Sequence, residues 1–243
     1  MTDAALIAPA WRARVAWVCL VAGLAFAALA GVVAGGRSTA FDSWAFRELY
    51  AHIGYTAAIN LLVFSLPVLS ITTCAVVAVL SALARRWDLA ALAVFGPSVT
   101  VALTEWVFKP LLWRGLYVSD FFSPGSLPGL KGELPSVHGV FPSGHESAVA
   151  ATAWVLVIVL SQLPLARRWR AVLLGVITVW TALAAIGLAR NLWHYLTDTV
   201  GSILLATVVV LGLSLLIDRY AKAALPLTRT PPAAGISTNS RHG

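Results

Sequence analysis

Six apolar runs alternate along the chain with short polar connections, at roughly 15–35, 57–84, 89–112, 145–163, 171–190 and 195–216. A helix needs about 20 mainly apolar residues to cross a bilayer. Only helices and closed barrels satisfy their own backbone in lipid, and these runs are too long for barrel strands. They predict an all-α fold, a bundle of six transmembrane helices. Pro67 and Pro97 lie inside the second and third runs, where each is expected to bend its helix locally. There is no internal repeat. A single integral-membrane domain is expected over residues 1–225, followed by a disordered tail at 226–243, rich in Pro, Thr, Ser and Gly.

The basic residues give the bundle a direction. Arg12 and Arg14, Arg85 and Arg86, Arg167, Arg168 and Arg170, then Arg219 and Lys222 fall in alternate connections. With Arg229 and Arg241, that side holds 11 of the 17 basic residues. Short loops rich in Lys and Arg stay in the cytoplasm, so both termini are expected inside. Two segments on the other side are long enough to hold structure. Residues 38–54 place Phe41, Trp44, Phe46, Leu49, Tyr50 and Ile53 among charged residues, which suits a short interfacial helix in the first outer loop. Residues 115–141 are rich in Gly, Pro and Ser, and a loop of that length is usually functional.

Composition sharpens the same picture. The chain is 59% hydrophobic and only 11% charged, against about 25% charged in soluble domains, which excludes a water-facing surface of ordinary size. The net charge of +7 would suit nucleic-acid binding, but the charges sit in clusters between apolar runs, so no nucleic-acid partner is expected. Cys19 and Cys74 lie inside apolar runs and read as small core residues. The first run follows Arg12 and Arg14 as a signal peptide would. It is longer than the usual 7–15-residue apolar region and reads as an uncleaved first helix.

The candidates for chemistry are the polar residues at the outer helix ends. Lys109 and Arg114 close the third span, and Pro142, Ser143, Gly144 and His145 open the fourth. Arg190 closes the fifth, and His194 and Asp198 open the sixth. Ionisable groups at membrane depth are costly and are functional candidates by default. Lys109 and Arg114 also suit snorkelling flank residues, and Glu105 is placed for an i,i+4 ion pair with Lys109. Ser143 and Glu146 match a capping box. The same helix start is an anion site, where Gly144 admits a phosphate close to the backbone and His145 adds a titratable donor. Both capping and phosphate binding are expected there. His194 and Asp198 share a helix face, and a carboxylate bonded to one imidazole nitrogen leaves the other as a nucleophile. The same spacing also arises by chance. Two histidines and an aspartate on separate helices lack the compact spacing of a zinc site, so no metal is expected. His52, His138 and His242 read as surface or loop residues.

Together these residues resemble the type 2 phosphatidic acid phosphatase family, which includes lipid phosphate phosphatases and acid haloperoxidases. The family carries K-x6-R-P, then P-S-G-H, then S-R-x5-H-x3-D. The second motif stands intact as Pro142-Ser143-Gly144-His145, and the third ends intact at His194 and Asp198. Two departures are visible. Leu116 and Tyr117 replace the Arg-Pro of the first motif, where Arg114 matches a second arginine that many members carry five residues after the lysine. In the third motif only three residues separate Arg190 from His194, although on a continuous helix Arg190, His194 and Asp198 would form one i,i+4 stripe.

The resemblance covers roughly residues 55–215 and implies a phosphatase acting on a lipid phosphate or diphosphate through a phosphohistidine. His194 would be the nucleophile, Asp198 its orienting partner and His145 the acid, then the base. Lys109, Arg114, Ser143, Gly144 and Arg190 would hold the phosphate. No cofactor is implied, because the cations supply the charge a metal would bring. The protein is expected in the cell membrane, multi-pass, with its site facing outward. Alternatives are a lipid phosphotransferase using the same site and a non-catalytic lipid-binding relative. Oligomeric state is not legible.

Overall fold

The protein is described by a computed structural model that covers residues 5–34, 36, 38–54, 57–117 and 136–224. The tail at 226–243, His242 and most of the expected 115–141 loop lie outside the described residues. Among these described residues eight α-helices follow in order: α1 Arg12–Val33, α2 Ala40–His52, α3 Ala57–Leu83, α4 Trp87–Leu103, α5 Lys109–Leu112, α6 Gly144–Gln162, α7 Arg167–Arg190 and α8 Leu196–Ala224. A π-helical segment, Thr104–Phe108, joins α4 to α5. Among the described residues six helical stretches are long and apolar enough to cross a membrane, and they match the six runs to within a few residues except at the start of the first. Helices α3 and α4 run through Pro67 and Pro97 without interruption.

One element departs from the all-helical expectation. Gly115–Tyr117 and Ser136–His138 pair as a short antiparallel ribbon, β1 and β2, with Leu116 opposite Val137. It ties the two ends of the long connection beside the start of α6.

Helices α6 and α8 form the centre. In each, 44% of the most apolar stretch is buried by protein, against 17–28% in the other four spans. Small residues allow this close packing: Ala150 and Ala151 of α6 meet Ala206 and Val210 of α8 and Leu92 and Ala93 of α4. The outer helices turn Trp17, Leu24, Leu61, Ile71 and Val176 outward, as helices in contact with lipid do. Polar side chains cross between helices as pairs: Thr104 with Ser147 at 2.8 Å, Cys74 with Thr152 at 3.3 Å, and Trp154 Nε1 donating to Thr207 at 2.9 Å. Cys19 and Cys74 are free thiols. The starts of α6 and α8, the end of α4–α5 and helix α2 all lie at one end of the bundle, and that end carries the candidate site.

Candidate active site

The two central helices are fastened together where they begin. Ser143 N–H donates to the Asp198 carbonyl at 3.3 Å, and Ser202 Oγ donates to the Ser143 carbonyl at 2.8 Å. Gly201 is required here, because a Cβ would overlap the ring of Phe141. Ser143 caps α6 by accepting the Glu146 N–H. The capping box is only half formed: the Glu146 carboxylate is fully buried, with no hydrogen-bond partner among the described residues. Ser143 is itself fully buried, so its hydroxyl serves the helix start and is not among the residues lining the cavity beside it.

That cavity has a volume of about 910 Å³. Its polar end is formed by Glu105, Lys109, Gly144, His145 and His194, which bring four of the expected site residues together. From there it continues between α3 and α4 past Ile71, Cys74, Val94 and Pro97. The axial distance from Lys109 to Ala93, at 1.5 Å per residue, is roughly 24 Å, so the cavity pairs a charged mouth with a long apolar groove. Within the mouth, the His145 ring stands edge-on to Trp193, with centroids 5.2 Å apart.

Lys109 is placed by the π-helical segment, in which its N–H donates to the Thr104 carbonyl five residues back. Pro110 has no N–H and cannot bond the Trp106 carbonyl, which favours an opened turn at this point. Such single π turns recur at functional sites. The expected pair forms, with Lys109 Nζ donating to both Glu105 oxygens at 2.7 and 2.9 Å.

His194 is oriented differently from expectation. It lies in the connection before α8, not on a continuous helix, so the Arg190–His194–Asp198 stripe does not exist. His194 Nδ1 stands 2.8 Å from the Val140 carbonyl and 3.6 Å from Asp198 Oδ2. A carbonyl only accepts, so Nδ1 carries a hydrogen, and in the neutral ring Nε2 is then the nitrogen with the lone pair. Asp198 is engaged elsewhere: Oδ1 accepts from Arg114, and Oδ2 accepts the Tyr195 N–H at 2.9 Å.

Arg114 is not brought to the cavity lining. Trp113 ends α5 in the left-handed region, at φ 45°, which turns the next side chain inward. The Arg114 guanidinium is fully buried and bridges two carboxylates, Asp198 and Asp42, the latter at 2.7 Å. It also donates to Thr197 Oγ1 at 2.6 Å and lies 4.3 Å from the Tyr195 ring centroid. Asp42 is the residue the sequence reading missed. It completes a capping box with Thr39 at the start of α2, and it accepts the Thr197 N–H and hydroxyl, each at 2.9 Å. Burial pushes the Asp42 carboxyl up, but the Thr197 amide, the Arg114 charge and the Thr39 amide together outweigh it and hold it below the usual carboxylate range. The spacing of Asp42 from Thr39 is that of a helix-start capping pair and signals nothing more. Nothing in the sequence linked it to residue 114 or 197.

Arg190 also stands apart. It ends α7, its Nε donates to the Ile53 carbonyl at 2.7 Å, and its guanidinium lies 4.6 Å from the Tyr50 ring. It lines a separate pocket of about 390 Å³ with Asn60 and Asn191, and Trp193 borders both pockets. The short connection explains this: with three residues before His194, and Leu192 at φ 57°, the arginine is not carried round into the main cavity. Among the described residues, no three His, Cys, Asp or Glu side chains cluster as metal ligands would.

The family model of the PAP2 superfamily matches residues 90–221, more than half of the 243-residue chain. That span holds Glu105, Lys109, Arg114, the start of α6, Arg190, His194 and Asp198, and leaves Asp42 outside. No curated protein and no solved structure matches the chain.

Proposed function

The chain belongs to the PAP2 superfamily, and from that premise we propose that it is a membrane lipid phosphatase whose reaction passes through a phosphohistidine on His194. The observation that carries this reading is the cavity itself, where two histidines, a lysine and a helix start meet at the mouth of a long apolar groove. A phosphate head would lie at the mouth and a hydrocarbon tail would run between α3 and α4. Polyprenyl diphosphates and phosphatidic-acid-like lipids both have that shape.

In the first step, His194 Nε2 attacks phosphorus and the bond to the leaving oxygen breaks, while His145 gives that oxygen a proton. In the second, water attacks the phosphohistidine, His145 takes its proton, and the nitrogen–phosphorus bond breaks to release phosphate. The Val140 carbonyl supports the nucleophile by holding the proton on Nδ1 throughout. Lys109 and the free amides at the start of α6 stabilise the charge that develops on the phosphoryl oxygens. Asp198 acts from behind, holding Arg114 and the Tyr195 amide so that the backbone around His194 stays fixed. The basic connections support a site facing away from the cytoplasm, with both termini inside and α2 at the outer interface.

The test is phosphate release from a panel of lipid phosphates and diphosphates by purified protein, with and without EDTA. Release that is insensitive to EDTA and lost in His194→Ala is expected. A protein that releases phosphate from none of the panel, or only with added metal, refutes the reading.

A further inference from the structure

The carboxylate of Glu105 lies between Lys109 and the first residue of α6, at the mouth of the cavity. Lys109 Nζ donates to both of its oxygens. A Cβ at Gly144 would overlap Glu105 Oε1 and come within 3.7 Å of Lys109 Nζ, so the carboxylate rests directly on the first residue of α6. Glu105, Lys109, Gly144, His145 and His194 share one cavity wall. Gly144 leaves room for an anion against the helix start, and that room is filled by a side chain of the same protein.

We propose that Glu105 is a built-in anion that an incoming phosphate must displace from Lys109 and the α6 start. This rests on the phosphatase reading above and extends it to substrate class. A free phosphate or a small soluble phosphomonoester competes with the carboxylate using its head alone. A phosphate attached to a long hydrocarbon is anchored in the bilayer or micelle, so its head meets the mouth at a high effective concentration and displaces the carboxylate with that help. Glu105 therefore weakens the binding of every phosphate by the same factor, so that only the lipid-tethered ones, held at high local concentration, occupy the site, and released phosphate inhibits little. The opposing view is that Glu105 only steadies Lys109, and the two views differ in sign.

The experiment compares wild type with Glu105→Gln in detergent micelles. It measures the Ki of inorganic phosphate, and kcat and KM for p-nitrophenyl phosphate and for a long-chain lipid phosphate. Displacement predicts a phosphate Ki lower by roughly ten- to a hundredfold in Glu105→Gln, from removal of a like charge at close range. It also predicts a KM lower by a similar factor for the soluble ester and for the lipid phosphate. Glu105→Asp, which draws the carboxylate back by one methylene, must move the Ki in the same direction and serves if the glutamine variant does not fold. A Ki that is unchanged or raised in a folded variant, with wild type active on lipid phosphate, overturns this inference alone. Wild type and variant both inert, with no phosphate binding, overturn it together with the phosphatase reading.

Discussion

Removing Arg114 should unfold the protein's active end before it slows the chemistry. The guanidinium is the only side chain seen to bridge Asp42 and Asp198 among the described residues, and all three are buried to within a few per cent of their surface. Arg114→Met would leave two buried carboxylates that had shared one guanidinium without that partner. Breaking a buried pair by deleting one partner costs about 3–5 kcal/mol. At about 2–4 °C per kcal/mol for a chain of this size, the apparent melting temperature should fall by roughly 6–20 °C. Part of that loss is charge left behind, so a second substitution that removes charge should restore stability: Arg114→Met with Asp42→Asn should melt higher than Arg114→Met alone. Arg114→Lys should be intermediate, because a point charge cannot reproduce the planar fork that reaches both carboxylates. Thermal unfolding in detergent measures all four proteins. If Arg114→Met melts within about 2 °C of wild type while kcat/KM drops 10²–10³-fold, the guanidinium acts on substrate and this reasoning is refuted.

His194→Ala should abolish both turnover and the trapped phosphoenzyme, whereas His145→Ala should still be phosphorylated by a substrate with a good leaving group. A phosphoenzyme that survives in His194→Ala overturns the assignment. The Asp42 carboxyl is held below its ordinary value of about 3.9, so its stabilising contribution is complete above about pH 4 and fades as pH falls through the folded value. Asp42→Asn should lower the melting temperature at pH 7 and flatten its fall in acid, and an unchanged acid limb would count against the network. For topology, a cysteine at His52 in a Cys19→Ala, Cys74→Ala background should be labelled from outside intact cells and one at Ala166 should not. The reverse pattern would invert the bundle.

What could be read from the sequence divides along a physical line. The spans follow from hydrophobic length alone, and their recovery is close because the bilayer leaves no other way to satisfy the backbone. Lys109, Gly144, His145 and His194 were legible because each lies at a helix end whose depth the span boundaries already fix. Arg114, Arg190 and Asp198 were legible as residues but not in their destinations. Those depend on a left-handed Trp113, on a three-residue connection with Leu192 strained, and on where α2 docks. None of these is a property of hydrophobic pattern. The partner of His194 is a backbone carbonyl, which no side-chain motif can reveal.

Asp42 makes the point most sharply. It lies outside the stretch matched by the family model, in a loop helix that looks merely interfacial, yet it shares Arg114 with Asp198 and holds Thr197 at the start of α8. The first motif lacks its usual Arg-Pro and the third is two residues short. A site assembled from altered motifs needs its geometry fixed by something else, and a buried network anchored in α2 does this through contacts that cross from residue 42 to 114 to 198. If that is its role, Asp42→Glu should keep the charge but displace the fork, lowering kcat with KM for the lipid nearly unchanged. A purely structural residue would lower the melting temperature and leave the activity of the folded fraction intact. Measuring kcat per folded molecule, well below the melting transition, separates these outcomes, and full activity per folded molecule in Asp42→Glu would reduce α2 to a purely structural brace.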